Sequence, residues 1–193
     1  MTLALGIGMN TAIFIVFEAV VLAPLPYTQP HRLVLVWLYN HALKSPTYLS
    51  YPDFVDWRRN SRSFQRMAAF KPQSQDLTSP GTPEHLEGKR VSWGFFRTLD
   101  VKPALGREFT AKEDVHGGAP AVIISNRLWR NRFGGSRTAQ GKPLTFDGAD
   151  YTIIGVLPAH FHCPSDADFY IPLGEGGPLE IGDRATHNIA RRS

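Results

Sequence analysis

Hydrophobic residues occupy nearly every position at the start of the chain, where "MTLALGIGMNTAIFIVFEAVVLAPLPY" contains no Lys or Arg. A helix from Thr2 to Ala23 would be about 33 Å long at about 1.5 Å per residue, and a hydrocarbon core is about 30 Å thick. Pro24 and Pro26 would end that helix, because proline lacks an N–H and disfavours helical backbone in the residue before it. The pattern therefore predicts a transmembrane helix at residues 1–24.

Two polar residues interrupt this apolar run. Asn10 could hydrogen-bond across a helix interface, and Glu18 should face protein or lie near a helix end, because a carboxylate in lipid is costly. We therefore expect Asn10 and Glu18 to contact other membrane helices. A cleaved signal peptide is disfavoured by the missing basic n-region and by Pro24, and a soluble core helix of this length would normally show a polar face.

After Tyr27 the hydrophobic pattern breaks into short strand-like and helix-like runs. "HRLVLVWLYN" predicts a strand at His31–Asn40 that is buried on at least one face. A helix is expected from Pro52 to Asn60, because proline is favoured at the first helical position and the acidic residues precede the arginines. A second short helix is expected at Phe64–Ala69.

Turn and helix-cap residues indicate where the elements in the rest of the chain begin and end. "KPQSQDLTSPGTPEHLEGKRVS" indicates two strands joined by a turn, and a short helix is expected at Gly94–Leu99. After the strand "AVIIS", Ser125 should cap a helix that ends at Gly134. "KPLTFDGADYTIIGVLP" predicts a hairpin with Asp147-Gly148 at its turn, and "DADFYIPL" predicts a last short strand.

Short strands that alternate with short helices, without a long βαβ series, predict an α+β fold. About 170 residues after the first helix suffice for one medium domain or two small lobes. We expect a two-lobed unit at residues 27–193, with the second lobe at about 119–163. Trp57 and Trp129 should be core anchors of their helices.

Composition narrows the possible functions. Hydrophobic content of 42% and charged content of 20% are typical of a folded domain. The single Cys163 allows no intramolecular disulfide. The formal charge of +4 is mildly basic, and the chain has no run of four or more Lys/Arg that would favour nucleic acid as a partner.

Motifs for catalysis are weak. "GSRTAQGKP" imitates a phosphate loop, but Pro143 replaces the hydroxyl residue and a strand, not a helix, follows. "HFHC" offers His160, His162 and Cys163 as zinc ligands, but a site would need further ligands brought near by the fold. Serines such as Ser125 lack a nucleophile-elbow context. We therefore expect no catalytic residue, no bound metal and no cofactor.

A series of segments carries a resemblance to a known family. In order, they are "LALGIGMNTAIF", "PLPYTQPHRLV", "SYPDFVDWR", "SFQRMAAF", "VSWGFFRTLDVKPALGREF", "AVIISNRLWRNRFGG", "DGADYTIIGVLPAHF" and "DADFYIPL". Together they span Leu3 to about Arg191, and in this order the chain resembles the MacB-like periplasmic core domain of ABC-transporter permeases. The branch that it most resembles is that of orphan permeases with a duplicated permease unit.

The resemblance implies a membrane helix that enters from the cytoplasm and a two-lobed periplasmic domain after it. It also implies three further membrane helices, dimerisation, and a cytoplasmic ATPase whose work moves the helices. The periplasmic domain would pass this movement on to an exported molecule or to a partner protein, such as a periplasmic adaptor. It would do so without catalysing a reaction. Because the chain stops at Ser193, where a second membrane helix would follow, we expect a fragment located in the inner membrane with its main domain in the periplasm.

Two other hypotheses stay open from the residues alone. One is a membrane-anchored envelope binding protein that works without an ATPase. The other is a metal-dependent enzyme that uses His160 and His162.

Overall fold

The computed structural model of the chain describes residues 32–36, 38–40, 44–47, 51–163, 165–174 and 187–192. None of the helices within these ranges combines the length and the apolar composition that a bilayer crossing requires. The helix predicted at residues 1–24, with Asn10 and Glu18, lies outside the described residues and stays a prediction.

Strands dominate the described part of the chain. They are β1 (Leu33–Val36), β2 (Leu38–Asn40), β3 (Ser45–Thr47), β4 (Phe64–Ser79), β5 (Glu84–Val91), β6 (Leu105–Gly106), β7 (Ala121–Ile124), β8 (Pro143–Phe146), β9 (Ala149–Val156), β10 (Phe169–Pro172) and β11 (His187–Arg192). The helices are α1 (Tyr51–Asn60), α2 (Phe95–Leu99) and α3 (Asn126–Phe133), and a 3-10 turn covers Arg137–Ala139. The fold is α+β, as predicted, with the sheet as its main component.

Nine of these strands form one sheet. Its order is β1-β11-β4-β5-β10-β7-β9-β6, and β8 pairs with both β4 and β9. Because of these two pairings of β8, the strands β4, β5, β10, β7, β9 and β8 form a closed ring, in which each is hydrogen-bonded to the next. We call this ring the barrel. We call β1, β11, the β4 segment that pairs with β11, and α1 together the extension.

The interior of the barrel is filled by apolar side chains from all six strands. This core consists of Leu77, Leu86, Val122, Ile124, Leu144, Phe146, Ile153, Val156, Phe169 and Ile171, together with Leu128 of α3. The rings of Phe146 and Phe169 stack with centroids 4.5 Å apart. Phe169 also lies opposite Gly88 on β5, where any Cβ would lie 2.4 Å from its ring. Glycine is therefore required at this interior position.

A second core covers the outer face of the sheet. Alternate strand residues point to opposite faces, so Ile123 and Tyr170 lie outside the barrel while their neighbours lie inside. They pack against Phe95, Phe96 and Leu99 of α2, all fully buried. In the extension, a smaller core joins α1 to the sheet through residues such as Tyr51, Phe54, Met67, Ala69 and Ala190.

The helix predicted at Phe64–Ala69 is wrong, because this segment is the first part of β4. Met67 and Ala69 face α1, whereas Ala68 and Phe70 face the core that contains α2. A strand buried on both faces shows a continuous apolar run without alternation, which cannot be told from a short buried helix by pattern. Its partner on one side, β11, was also missing from the predicted elements.

The other predicted elements after Pro52 are confirmed, most of them within two residues, and the last predicted strand, Asp166–Leu173, is shorter, at Phe169–Pro172. Ser125 caps α3, Gly134 ends it with φ +58°, and Asp147-Gly148 forms the β8–β9 turn with φ values of +48° and +82°. The prediction that Trp57 is a core anchor is wrong, because its side chain is 38% exposed. Trp129 is half-buried against the barrel core.

The predicted first strand at His31–Asn40 contains two described strands, β1 and β2. β1 joins the large sheet, whereas β2 pairs only with β3 in a separate two-stranded sheet. The division into two lobes, with the second lobe at about 119–163, stays a prediction. The barrel takes strands from both sides of that boundary.

Candidate functional site

Two recesses lie at opposite ends of β7 and β10, which run antiparallel. The first, the helix-end recess, lies where β7 ends, α3 begins and β10 starts. The second, the mouth recess, lies where β7 begins and β10 ends. α3 closes the first end of the barrel: Leu128 is buried in the barrel core, and Arg132 donates to the carbonyls of Pro80 and Thr82 in the β4–β5 turn.

The helix-end recess is a cavity of about 280 Å³ with an ion pair in its wall. Ser125 Oγ accepts a hydrogen bond from the Leu128 N–H at 3.1 Å and so fixes the start of α3. Arg127 Nη2 donates to Asp168 Oδ1 at 2.5 Å. Burial raises the pKa of Asp168 although Arg127 lowers it. The Asp168 carboxylate in this wall is thus already paired with Arg127.

A buried lysine anchors the loop between β9 and β10 to the sheet through hydrogen bonds. Lys89 on β5 is 4% exposed, and its Nζ donates to the carbonyl oxygens of Cys163 at 3.1 Å and Ser165 at 2.5 Å. Burial lowers the pKa of Lys89 to about 8. This lysine satisfies backbone acceptors in the wall of the fold, and we assign it a structural role.

The residues considered for a metal site lie in the loop between β9 and β10. His160 and His162 are exposed, Cys163 is buried, and His162 Nδ1 pairs with Asp166. Within the residues that the structure describes, no group of three or more His, Cys, Asp and Glu side chains is placed to hold a metal ion. His160 and His162 do not lie on a strand, so alternation does not put them on one face.

The mouth recess, of about 240 Å³, is lined by both charged residues (Lys71, Arg90 and Glu113) and a larger number of small and apolar residues. Lys71 on β4 and Arg90 on β5 lie directly opposite each other in the strand register. The fully buried Asp114 shapes the recess, because its carboxylate accepts hydrogen bonds from the Trp93 N–H at 2.7 Å and the Gly174 N–H at 2.9 Å. Lys71 and Arg90 therefore lie side by side in this wall, next to backbone that the Asp114 carboxylate holds in place.

The first and last described strands of the large sheet are neighbours. β1 and β11 pair antiparallel, with Leu33 opposite Arg191 and Val36 opposite Asn188. The backbone that leads into this sheet and the backbone that ends the described chain therefore lie side by side. Arg191 is buried, and its Nε donates to the Thr98 carbonyl at 2.9 Å, which ties β11 to α2.

Few of these positions are predictable from the amino-acid sequence. The predicted membrane contacts Asn10 and Glu18 lie outside the described residues. A lysine or arginine in a strand is expected to be solvent-exposed unless the pairing register of that strand is known. The sequence alone therefore does not distinguish Lys71, Lys89 and Arg90 from ordinary surface residues. One feature of the sequence does point to them, since all three occur within two strands that were correctly predicted to pair.

The comparison of sequences finds one family. The profile of the MacB-like periplasmic core domain matches residues 1–190. No curated protein matches the chain in sequence.

Several solved structures share the fold at 16% identity. The periplasmic region of MacB from Actinobacillus actinomycetemcomitans gives a TM-score of 0.64 and covers 84% of this chain and 75% of that chain. The extracellular domain of the noncanonic ABC-type transporter YknZ from Gram-positive bacteria gives 0.62, with 82% of each chain covered. A domain of a permease protein from Porphyromonas gingivalis gives 0.65, covering 86% of this chain and 77% of that chain. At this identity the likeness concerns the fold.

Proposed function

The chain belongs to the family of MacB-like periplasmic core domains, and from this premise we propose that it transmits the movement of membrane helices into the periplasm. It would do so as part of an ABC-transporter permease subunit and without catalysis of its own. The partners would be the remaining permease helices or a second permease subunit, a cytoplasmic ATPase and a periplasmic adaptor. No cofactor is needed for this role.

The observation that carries this proposal is the course of β4. Its first part pairs with β11 from Phe64 to Phe70, and its second part pairs with β5 and β8 as far as Ser79. At about 3.3 Å per residue, its 16 residues extend for about 50 Å. One strand thus connects the β1–β11 pair, which contains the first and the last described strand of the large sheet in chain order, to the far end of the barrel.

Membrane helices before β1 and after β11 would act on this β1–β11 pair. Because β4 is hydrogen-bonded to β11 in the extension and to two strands in the barrel, a displacement at β11 would move the barrel as a body. The barrel is suited to this role, since a continuous cluster of buried apolar side chains fills its interior and packed interiors transmit strain. Asn10 and Glu18 would contact the other membrane helices.

We test the coupling by measuring distances in the permease assembled with its ATPase. Spin labels replace Gln65, at the start of β4, and Thr82, in the turn after it; both residues are exposed. The Gln65–Thr82 distance within one subunit should be the same with and without ATP. The Gln65–Gln65 distance between two permease subunits should change with ATP.

The two distances separate the proposal from its rivals. A Gln65–Gln65 distance that does not respond to ATP would favour the envelope binding protein that works without an ATPase. A change in the Gln65–Thr82 distance would show that the domain deforms instead of moving as a body, and would contradict transmission along β4.

The location is tested separately. With the chain in the inner membrane and the domain in the periplasm, an alkaline phosphatase fused after Ser193 should be active. An inactive phosphatase together with an active cytoplasmic reporter at the same position would reverse the topology and remove the basis of the proposal.

A further inference from the structure

Arginines gather at one end of the extension, and the proposed function does not use them. β1 and β4 both run antiparallel to β11, so β1 begins, β4 begins and β11 ends at the same end of the sheet: Leu33 lies opposite Arg191, and Phe64 lies opposite Arg192. The proposed membrane helices before β1 and after β11 would join the domain here. We propose that this end binds the head groups of anionic phospholipids, an inference that rests on the proposed function only for the position of the membrane.

Four exposed arginines form what we call the arginine edge. They are Arg59 in the last turn of α1, Arg62 just before β4, Arg66 on β4 and Arg192 at the end of β11. None of the four makes an ion pair with another residue in the described ranges. Arg66 Nη1 donates to the Arg97 carbonyl at 2.9 Å, but a carbonyl is neutral, so this hydrogen bond leaves the positive charge of Arg66 in place.

Acidic residues nearby reduce this charge without cancelling it. Arg97 of α2 and Glu108 offset each other, since Arg97 Nε lies 3.7 Å from Glu108 Oε2. The remaining acidic residues of the extension and of α2 with its C-cap are Asp53, Asp56 and Asp100. They are equalled in number by the arginines outside the arginine edge, namely Arg32, Arg58 and Arg191, each of which also has contacts of its own. Among the described residues of this part of the molecule, the positive charge of the arginine edge is therefore left over.

An exposed tryptophan next to these arginines is a second feature typical of a membrane interface. Trp57 of α1 is 38% exposed, and the Ser61 N–H donates to its carbonyl at 2.8 Å, so Trp57 lies in the helix turn that leads to Arg62. Tryptophan is enriched where membranes meet water, because its ring is apolar and its N–H is polar. Guanidinium groups bind phosphate through paired N–H donors. Trp57 and the arginine edge together thus match the chemistry of a layer of anionic lipid head groups.

The proposed membrane helix keeps the arginine edge near the lipid. From Pro24, where that helix would end, to Arg32 the chain advances eight residues, which reach at most about 28 Å. Each arginine close to an anionic lipid surface strengthens association about fivefold. The positive-inside rule does not oppose this arrangement, because it counts the basic residues of short loops and long domains translocate largely regardless of charge. Anionic lipid would therefore hold this end of the extension against the membrane.

The test uses the full chain in lipid nanodiscs. A fluorescent dye is attached at Gln65→Cys, beside the arginine edge, and a phosphatidylcholine with a nitroxide on its head group quenches it on contact. Cys163 is buried, and the unsubstituted chain treated with the dye gives the background. Discs of phosphatidylcholine alone are compared with discs in which a third of the lipid is phosphatidylglycerol.

We expect stronger quenching with phosphatidylglycerol and a loss of this difference at high salt, because salt screens exposed charges. A dye at Thr82→Cys, in the turn at the far end of β4, should give the same quenching in both kinds of disc. Equal quenching of the Gln65→Cys dye in both kinds of disc would overturn the proposal.

Double variants locate the surface. Arg62→Gln with Arg192→Gln removes half of the arginine edge and should weaken the phosphatidylglycerol-dependent contact about tenfold or more. Arg130→Gln with Arg137→Gln removes two exposed arginines near the other end of the molecule and should behave as the wild type does. Circular dichroism establishes that each variant is folded, and if the first pair does not fold, Arg59→Gln with Arg66→Gln decides the outcome. A folded arginine-edge variant with wild-type quenching, or an equal loss in the control pair, would contradict the assignment.

Failure of this proposal and failure of the proposed function give different results. The nanodisc measurement uses no ATPase and reports on the arginine edge whichever side of the membrane the domain occupies. Equal quenching together with an active phosphatase fusion would overturn lipid binding and leave the proposed location intact. Lipid-dependent quenching together with an inactive phosphatase would support lipid binding and reverse the topology.

Discussion

The barrel and the extension share β4 but differ in how their strands are held. In the barrel, each strand pairs with a neighbour on both sides, and large aromatic and aliphatic residues fill the interior. In the extension, β1 pairs with β11 alone among the described strands, and small residues such as Ala69 and Ala190 contribute to the core. A closed, well-filled ring resists deformation more than an open edge does.

The boundary between the two regions lies on β4. Pairing with β11 ends at Phe70, pairing with β8 begins at Leu77, and between them β4 pairs only with β5. Pro72 lies in this interval. Proline is tolerated where a strand has an open side, because its missing N–H then removes no ladder hydrogen bond. The comparison therefore predicts a stiff barrel and an extension whose outer strand β1 is held less firmly, while β4 itself runs without interruption through both.

The largest expected effect is the loss of a ring from the barrel core. Phe146→Ala should reduce the free energy of unfolding by about 3–5 kcal/mol, because Phe146 is fully buried and stacks on Phe169. Phe64→Ala, at the half-buried start of β4 in the extension, should cost only about 1–2 kcal/mol. Urea unfolding followed by tryptophan fluorescence measures both. Equal losses would mean that the two regions are packed equally well.

Much of the barrel could be predicted from sequence, as could β1 and α1 of the extension, whereas the pairing of β11 with the first part of β4 could not. The β8–β9 hairpin and the Ser125 cap depend on local turn and cap chemistry, which two or three residues specify. β11 and the first part of β4 depend on each other across more than a hundred residues, and neither shows a strand-like alternation. The local hydrophobic pattern therefore cannot predict that these two segments pair.

The candidate sites were hidden for a related reason. The opposition of Lys71 and Arg90 follows from the register of β4 against β5, which depends on the whole course of both strands. The burial of Lys89 follows from the loop that covers it. A single sequence gives residue types and spacing, whereas these features are properties of register and coverage.

The next effect is a pH dependence centred on the barrel wall. In the unfolded chain Lys89 keeps its proton up to about pH 10.5, whereas in the folded protein its pKa is about 8. Between these values the unfolded state binds more protons, so the stability of the wild type should rise with pH from about 8 to about 10.5. Integrated over this window, the contribution is about 3 kcal/mol.

Comparison of variants isolates this contribution. The difference in unfolding free energy between the wild type and Lys89→Met, measured in urea at several pH values, should shift in favour of the wild type across the window. The difference between the wild type and Lys102→Met, at an exposed position, should stay constant. A constant difference for Lys89→Met would show that Lys89 is not desolvated in the folded protein.

The smallest effect compares one helix from each region. Trp129 of α3 packs against the barrel core, and its Nε1 donates to the Ser136 carbonyl at 2.8 Å, whereas Trp57 of α1 is 38% exposed in the extension. Trp129→Ala should cost about 2 kcal/mol, since a half-buried ring and a hydrogen bond are lost. Trp57→Ala should cost less than about 1 kcal/mol, as surface substitutions do.

Urea unfolding followed by circular dichroism measures these losses without relying on the tryptophan fluorescence that the variants change. Trp129→Phe keeps most of the packing and removes only the hydrogen bond, so it should fall between wild type and Trp129→Ala. If Trp57→Ala costs as much as Trp129→Ala, α1 is held as firmly as α3, and the distinction between a stiff barrel and a less firmly held extension does not hold.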